Sequence, residues 1–142
     1  MTIKIIERKN LNEQQRSYLR DRTTADEHRD DGALCRTWEM ESLASFIFVM
    51  LLEETNIPIG LLYRGGPPTA TSVSWWIDRR FRGRGLGNEM VDLFATLLKE
   101  EGVTGVAPLP IEPYQGQENI ASEKLVTRLR RHFDLRLKPY SR

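Results

Sequence analysis

The feature that most constrains this chain is the run Phe46-Ile47-Phe48-Val49-Met50-Leu51-Leu52. It is unbroken, with aromatic and β-branched residues, and it predicts a strand over residues 46–53 that is buried on both faces. It is also the longest apolar run in the sequence, and it is too short to span a bilayer. No other stretch comes nearer to a membrane segment, and residues 1–11 carry charges throughout, with no signal-peptide core.

Other elements fall around this strand. Residues 2–6 predict a short first strand. Asn10 is the expected N-cap of a helix ending near Arg22, with Glu13 completing a capping-box pattern and Leu11, Tyr18 and Leu19 forming its apolar stripe. Residues 23–41 are polar and predict a loop with a short helix around 34–40. Glu54-Thr55-Asn56 predicts a turn, 57–63 a second long strand with Pro58 near its start, and Gly65-Gly66-Pro67-Pro68 a loop. A third long strand is expected over 70–77. Leu86, Met90, Leu93, Phe94, Leu97 and Leu98 recur at helical spacing, and Gly102 suits the end of that helix. Residues 103–107 predict a strand, 119–132 a last helix and 133–137 a final strand. The order is β-α-α-β-β-β-α-β-α-β. Short turns make the consecutive strands antiparallel, and the strand–helix–strand unit over 70–107 implies one parallel or splayed pair. The class is α/β (α+β), with a mixed, mostly antiparallel central sheet flanked by helices.

A length of 142 residues fits a single domain over 1–142 with a real core. Cys35 is alone and cannot close an internal disulfide, and His28 and His132 stand far from it, so no metal site is expected. A reducing cytoplasm is the expected location. The net charge of +1 argues against a dedicated nucleic-acid binder. That mean hides a split: residues 1–63 hold 8 basic and 11 acidic side chains, and residues 64–142 hold 13 and 9.

The chemistry concentrates in Val73-Ser74-Trp75-Trp76-Ile77-Asp78-Arg79-Arg80-Phe81-Arg82-Gly83-Arg84-Gly85-Leu86-Gly87-Asn88. A strand runs into alternating glycines and then into an amphipathic helix. Glycines let successive backbone N–H groups point into one concavity, and the helix N-terminus adds unpaired N–H groups and partial positive charge. Four arginines (Arg79, Arg80, Arg82, Arg84) add full charges. This is the pattern of a phosphate or pyrophosphate site. A Walker-type loop would end in Gly-Lys-Ser/Thr, where this stretch has Gly-Asn-Glu. A dinucleotide fingerprint would need a third glycine at position 88, which is Asn, and an acid after the next strand, where Ala107 and Pro108 stand.

Arg82-x-x-Gly85-x-Gly87, between a strand and a helix, resembles the acetyl-CoA motif of the GNAT superfamily of N-acetyltransferases, Q/R-x-x-G-x-G/A. Ile59-Gly60 on the preceding strand and the element order resemble that family too, over most of 46–133. The resemblance implies acetyl-CoA as acyl donor. It places the pyrophosphate on the amides of Gly83, Arg84, Gly85, Leu86, Gly87 and Asn88, after Arg82, and the pantetheine arm along Trp75, Trp76 and Ile77. At least one of the two tryptophans is expected in the core. Asn119 and Ser122 match the start of the family's second motif. The Tyr usual seven residues after that Asn is replaced by Val126.

The implied reaction is direct attack of a primary amine on the thioester. A lysine-like amine has a pKa near 10.4, so a base or water chain must take its proton. Some family members place a Glu on the third long strand, where this chain has Thr71-Ser72-Val73-Ser74. The remaining base candidates are Glu39, Glu41, Glu53 and a water held by Ser74. For protonating the leaving thiolate they are Tyr114, Tyr140 and Ser122. The acidic segment 23–41 lies where the family builds its acceptor pocket, which favours a cationic small-molecule or peptide amine such as a polyamine, an aminoglycoside-like amine or a lysine side chain. Residues 124–142 hold seven basic side chains against Asp134, for the CoA 3′-phosphate, a dimer partner or solvent. Homodimers are common in the family. The missing Tyr and strand carboxylate sustain a second reading, a catalytically weak acyl-CoA-binding or sensor protein.

Overall fold

The computed structural model describes residues 2–28, 32–107 and 120–133. Four strands, β1 (Ile3–Glu7), β2 (Ile47–Leu52), β3 (Pro58–Gly65) and β4 (Ser72–Ile77), form an antiparallel sheet in that order. Helices α1 (Glu13–Asp26) and α2 (Ala33–Thr37) cover one face, and α3 (Leu86–Glu100) and α4 (Ile120–Phe133) cover the other.

All six residues of β2 are buried, and their alternation sorts the core into two layers. Phe48, Met50 and Leu52 pack with Met90, Phe94, Leu98 and Leu129. Ile47, Val49 and Leu51 pack with Leu19, Leu34, Trp38 and Trp76. The apolar run thus lies in the middle of a three-layer α/β/α arrangement, as a strand buried on both faces requires.

The sequence expectations need four corrections. The helix expected from Asn10 starts two residues later. Arg8–Asn10 is a short 3-10 turn closed by the Leu11 N–H on the Arg8 carbonyl (3.1 Å). The capping box is Asn12 with Gln15, at 2.7 and 2.9 Å. The same helix runs to Asp26 and not to Arg22, because its last turn is drawn inward. The Trp38 indole N–H donates to the Thr23 hydroxyl (3.0 Å), and that of Trp76 to the Asp26 carboxylate (3.1 Å).

Residues 103–107 form no strand but a single parallel bridge, Thr71 to Val106. The N–H groups of Thr104 and Gly105 are taken by the Pro68 carbonyl (2.8 and 3.2 Å), which leaves the ladder confined to the Thr71 position. Gly105 sits so close to the chain there that a Cβ would fall 2.5 Å from the Thr69 carbonyl oxygen. Phe133, expected to open a last strand, is a buried residue of α4, and 134–137 lie outside the described residues. Among the described residues no helix is long and apolar enough to cross a membrane.

The last helix is fixed on α3 in two ways. A Cβ on Gly87 would meet the Leu125 methyl carbons at 3.1 and 3.2 Å, so α4 rests on the first turn of α3. Further along, Asp92 accepts a bidentate pair from Arg128 (2.9 and 2.7 Å) and has His132 Nε2 at 2.9 Å. The Arg128 hydrogen bonds, aided by His132, hold the Asp92 carboxyl at about 2, below its ordinary value.

Two outcomes follow. Gly87→Val overpacks the α3–α4 contact and lowers the free energy of unfolding in urea by about 1–3 kcal/mol. Leu125→Ala in the same chain restores part of that loss. Asp92→Asn lowers stability at neutral pH. Because the folded-state pKa is depressed, the wild-type advantage is full above the unfolded value and fades as pH falls toward 2. Urea melts of both proteins from pH 5 downward should converge; a constant gap would contradict the assignment.

Candidate functional site

The site begins where β4 ends. Asp78 caps a 3-10 turn, Arg79–Phe81, by accepting the Arg80 N–H at 3.1 Å. The chain then passes through Gly83 (φ 75°) and Gly85 (φ 79°). Both are left-handed, a conformation that costs other residues about 1 kcal/mol or more. Among the described residues an added Cβ would meet nothing within 4 Å at either, so with respect to them the turn faces open space. Gly85 is the N-cap of α3 and supplies no side-chain cap. Among the described residues the first N–H groups of α3 therefore have no side-chain cap, and they carry their partial positive charge toward that opening. Leu86 anchors the turn in the core, Gly87 lies under Leu125, and Asn88 is exposed.

The arginines are arranged otherwise than their sequence suggests. Arg82 donates Nε to the Ile77 carbonyl (2.8 Å) and holds Nη2 3.8 Å from Asp26. Arg79 lies 3.9 Å from the same carboxylate. Arg80 lies 3.5 Å from Asp78 and donates to the Tyr18 hydroxyl. Arg22 forks onto Asp78 at 3.0 and 3.2 Å. Arg84 stacks its guanidinium 5.3 Å from the Phe81 ring centre. Asp26 and Asp78 are each only 1% exposed. Burial works to raise the Asp78 carboxyl, but the hydrogen bonds from Arg22 and the Arg80 N–H, with the charges of both arginines, outweigh it and hold the group below its ordinary value.

β4 offers a second surface. The Asp78 N–H donates to the Ile59 carbonyl (2.8 Å), and the register pairs Trp76 with Leu61 and Ser74 with Tyr63. Antiparallel alternation then turns the backbone of Trp76 and Ser74 toward β3, and that of Val73, Trp75 and Ile77 to the outer edge. Among the described residues that edge meets a neighbour only at Thr71. Of the three residues expected along the pantetheine arm, Trp75 and Ile77 thus present their main chain outward. Trp76 does not, and its side chain is core, 2% exposed. The Ile77 carbonyl is already occupied by Arg82.

The remaining candidates scatter. Ser74 lies on the α1/α2 face of β4, beside half-buried Tyr63. Glu41 is 94% exposed and 3.6 Å from Arg8. Glu53 is an exposed residue of the β2–β3 turn, accepting the Thr2 hydroxyl at 2.8 Å. Glu39 forks with Arg20, which holds its carboxyl below the usual range. Ser122 is half-buried in the first turn of α4, on the opposite face of the sheet from Ser74. Tyr114, Asn119 and Tyr140 lie outside the described residues. Sequence reasoning missed Tyr18, Arg22, Asp26 and Asp78, which lie against the turn. Their signal was the four-residue spacing of the first three, one face of a helix.

A family model described as an acetyltransferase (GNAT) domain matches residues 6–130. No curated protein matches the chain. Solved structures share its fold. A GNAT-family acetyltransferase from Bacillus anthracis is 12% identical with a TM-score of 0.65, over 91% of this chain and 79% of that one. AAC(6′)-Ib in complex with paromomycin and acetyl-CoA is 14% identical, TM-score 0.64, over 91% and 82%. The ribosomal-protein-S5-alanine acetyltransferase from Vibrio fischeri is 14% identical, TM-score 0.61, over 91% and 79%. With the family model covering nearly the whole described fold, the chain belongs to the GNAT acetyltransferases.

Proposed function

We propose that this protein is an N-acetyltransferase that moves an acetyl group from acetyl-CoA to a primary amine by direct attack on the thioester. The observation that carries this reading is the N-terminus of α3, which has no side-chain cap from Gly85 and is entered through two left-handed glycines from a strand whose outer edge is open among the described residues. The amides of Gly83, Arg84, Gly85, Leu86, Gly87 and Asn88 suit a pyrophosphate, since they offer donors and a positive helix end without a side chain in the way. The outward Ile77 N–H and Trp75 C=O suit the amides of a pantetheine arm, added as a strand is added to an edge. When bound, acetyl-CoA supplies the activated acyl carbon.

The chain supplies the setting. The Trp75 N–H is a fixed dipole on the open edge, suited to stabilise negative charge developing on an acyl oxygen. No carboxylate lies on β4. Asp26 and Asp78 are committed to Trp76 and the arginines, so Ser74, beside Tyr63, is the proposed anchor of the water that takes the amine's proton. Ser122 is the proposed proton source for the thiolate on the α4 side. Of the acids on the acceptor side, Glu39 is spent on Arg20 and Asp26 on the interior. A cationic acceptor is therefore supported, among the described acids, chiefly through Glu41, which stays in solvent. The neighbouring fold of AAC(6′)-Ib, crystallised with coenzyme A and kanamycin, supports an amine as acceptor class.

Acetyl-CoA should raise the melting temperature of the wild-type chain, and some member of a broad amine panel should release CoA, read with a thiol reagent. Gly85→Asp places a branched anion at a left-handed position in the turn. It should stay folded by circular dichroism, lose the acetyl-CoA shift, and lose roughly tenfold or more in affinity. An unchanged shift in that variant overturns the cofactor mapping. Tight acetyl-CoA binding with no CoA release across the panel supports the acyl-CoA-binding or sensor reading instead.

A further inference from the structure

Tyr18, Arg22 and Asp26 are successive four-residue steps along one face of α1. Each meets a different part of the segment leading into the glycine turn. The Tyr18 hydroxyl accepts from Arg80, Arg22 forks onto Asp78 at 3.0 and 3.2 Å, and Asp26 accepts the Trp76 indole N–H at 3.1 Å. Asp26 also draws Arg79 and Arg82 to 3.9 and 3.8 Å. Arg82 in turn fastens the Ile77 carbonyl on the outer edge of β4 at 2.8 Å. None of the three α1 residues lies on the turn itself.

A carboxylate that is 1% exposed is tolerated only while it is paired. Swinging Arg82 out toward solvent would strip Asp26 of a charge partner and release the Ile77 carbonyl together. The buried acid therefore keeps residues 79–82 folded down against α1, and this sets where Gly83 and Gly85 begin. We propose that Asp26 is the positioning residue of the glycine turn, acting through Arg82 to pre-organise the turn's amides for an anionic ligand. Its effect on CoA rests on the acetyl-CoA reading above; its hold on the turn does not. Pre-organisation of this kind shows in binding affinity because the ordering cost is met before the ligand arrives.

Asp26→Asn tests this, since Asn keeps an acceptor for Trp76 and removes the charge that draws Arg82. Arg82→Gln is the second variant, cutting the same link at its less buried end should the first fail to fold. Order parameters of the Gly83 and Gly85 amides, measured on the ligand-free 15N-labelled protein, should fall from about 0.85 to below about 0.6 in either variant. The strands should not change. CoA, titrated calorimetrically, should bind roughly tenfold more weakly. The KM for acetyl-CoA should rise by a similar factor, with kcat changed by less than about twofold. Asp26→Asn added to Arg82→Gln should cause no further loss, as expected for residues acting through one link. Unchanged glycine order parameters overturn the proposal, as does a loosened turn with CoA affinity unmoved. If the wild-type protein binds no CoA, the acetyl-CoA reading fails, and the order parameters alone decide the role of Asp26.

Discussion

The site depends on one constraint, a strand paired along one edge only. β4 exchanges its backbone bonds with β3 from Gly65–Ser72 to Gly60–Ile77, while its other edge finds a neighbour at Thr71 alone among the described residues. Such an edge is ordinarily a hazard, and proteins cover or blunt it. Here the two tryptophans hold it in place. Trp75 packs against the α3/α4 layer and Trp76 against the α1/α2 layer, so side chains on both faces supply the rigidity that a second ladder would give. The outward Ile77 N–H and Trp75 C=O are thereby fixed before any ligand pairs with them.

The same strand delivers the turn. At Asp78 the chain leaves the sheet, and every later feature of the site is measured from that carboxylate. It caps the 3-10 turn, takes Arg22 from α1 and lies beside Arg80. Removing one partner of a buried pair of this kind typically costs about 3–5 kcal/mol, because the other charge is left uncompensated. The left-handed glycines therefore sit at the end of a segment with little freedom to rearrange.

The sheet was legible in the sequence because its signal is apolar. The run through Phe48 and Met50 and the strand beginning at Pro58 mark burial directly, as the four-residue spacing of Leu86, Met90 and Phe94 does for α3. Gly83 and Gly85 were legible as a turn, since alternating glycines between a strand and a helix mark left-handed backbone. The apolar part of the inner face of α1 was legible through Leu19, but its polar part was not. It meets the segment 76–82 through Tyr18, Arg22 and Asp26, polar residues whose default place is solvent. Two overlapping capping boxes, Asn10 with Glu13 and Asn12 with Gln15, read alike, and only the 3-10 turn at Arg8–Asn10 selects the second. The strand expected at 103–107 failed for a local reason, since the Pro68 carbonyl captures two of its N–H groups.

Charge shows how far composition alone misleads. The acidic first half and basic second half of the sequence suggest two separate surfaces, one for an amine and one for phosphates. In the fold they meet. Asp26 from the acidic half faces Arg79 and Arg82, while Arg22 crosses the other way to Asp78. Two buried carboxylates are thus shared among Arg22, Arg79, Arg80 and Arg82, which ties these side chains down but leaves the segment net positive, and in the proposed reading the diphosphate is met by backbone amides and the end of α3. Backbone donors are indifferent to side-chain identity but demanding of conformation. The conformation of the turn therefore rests on Gly83 and Gly85, whose left-handed φ values strain most other residues.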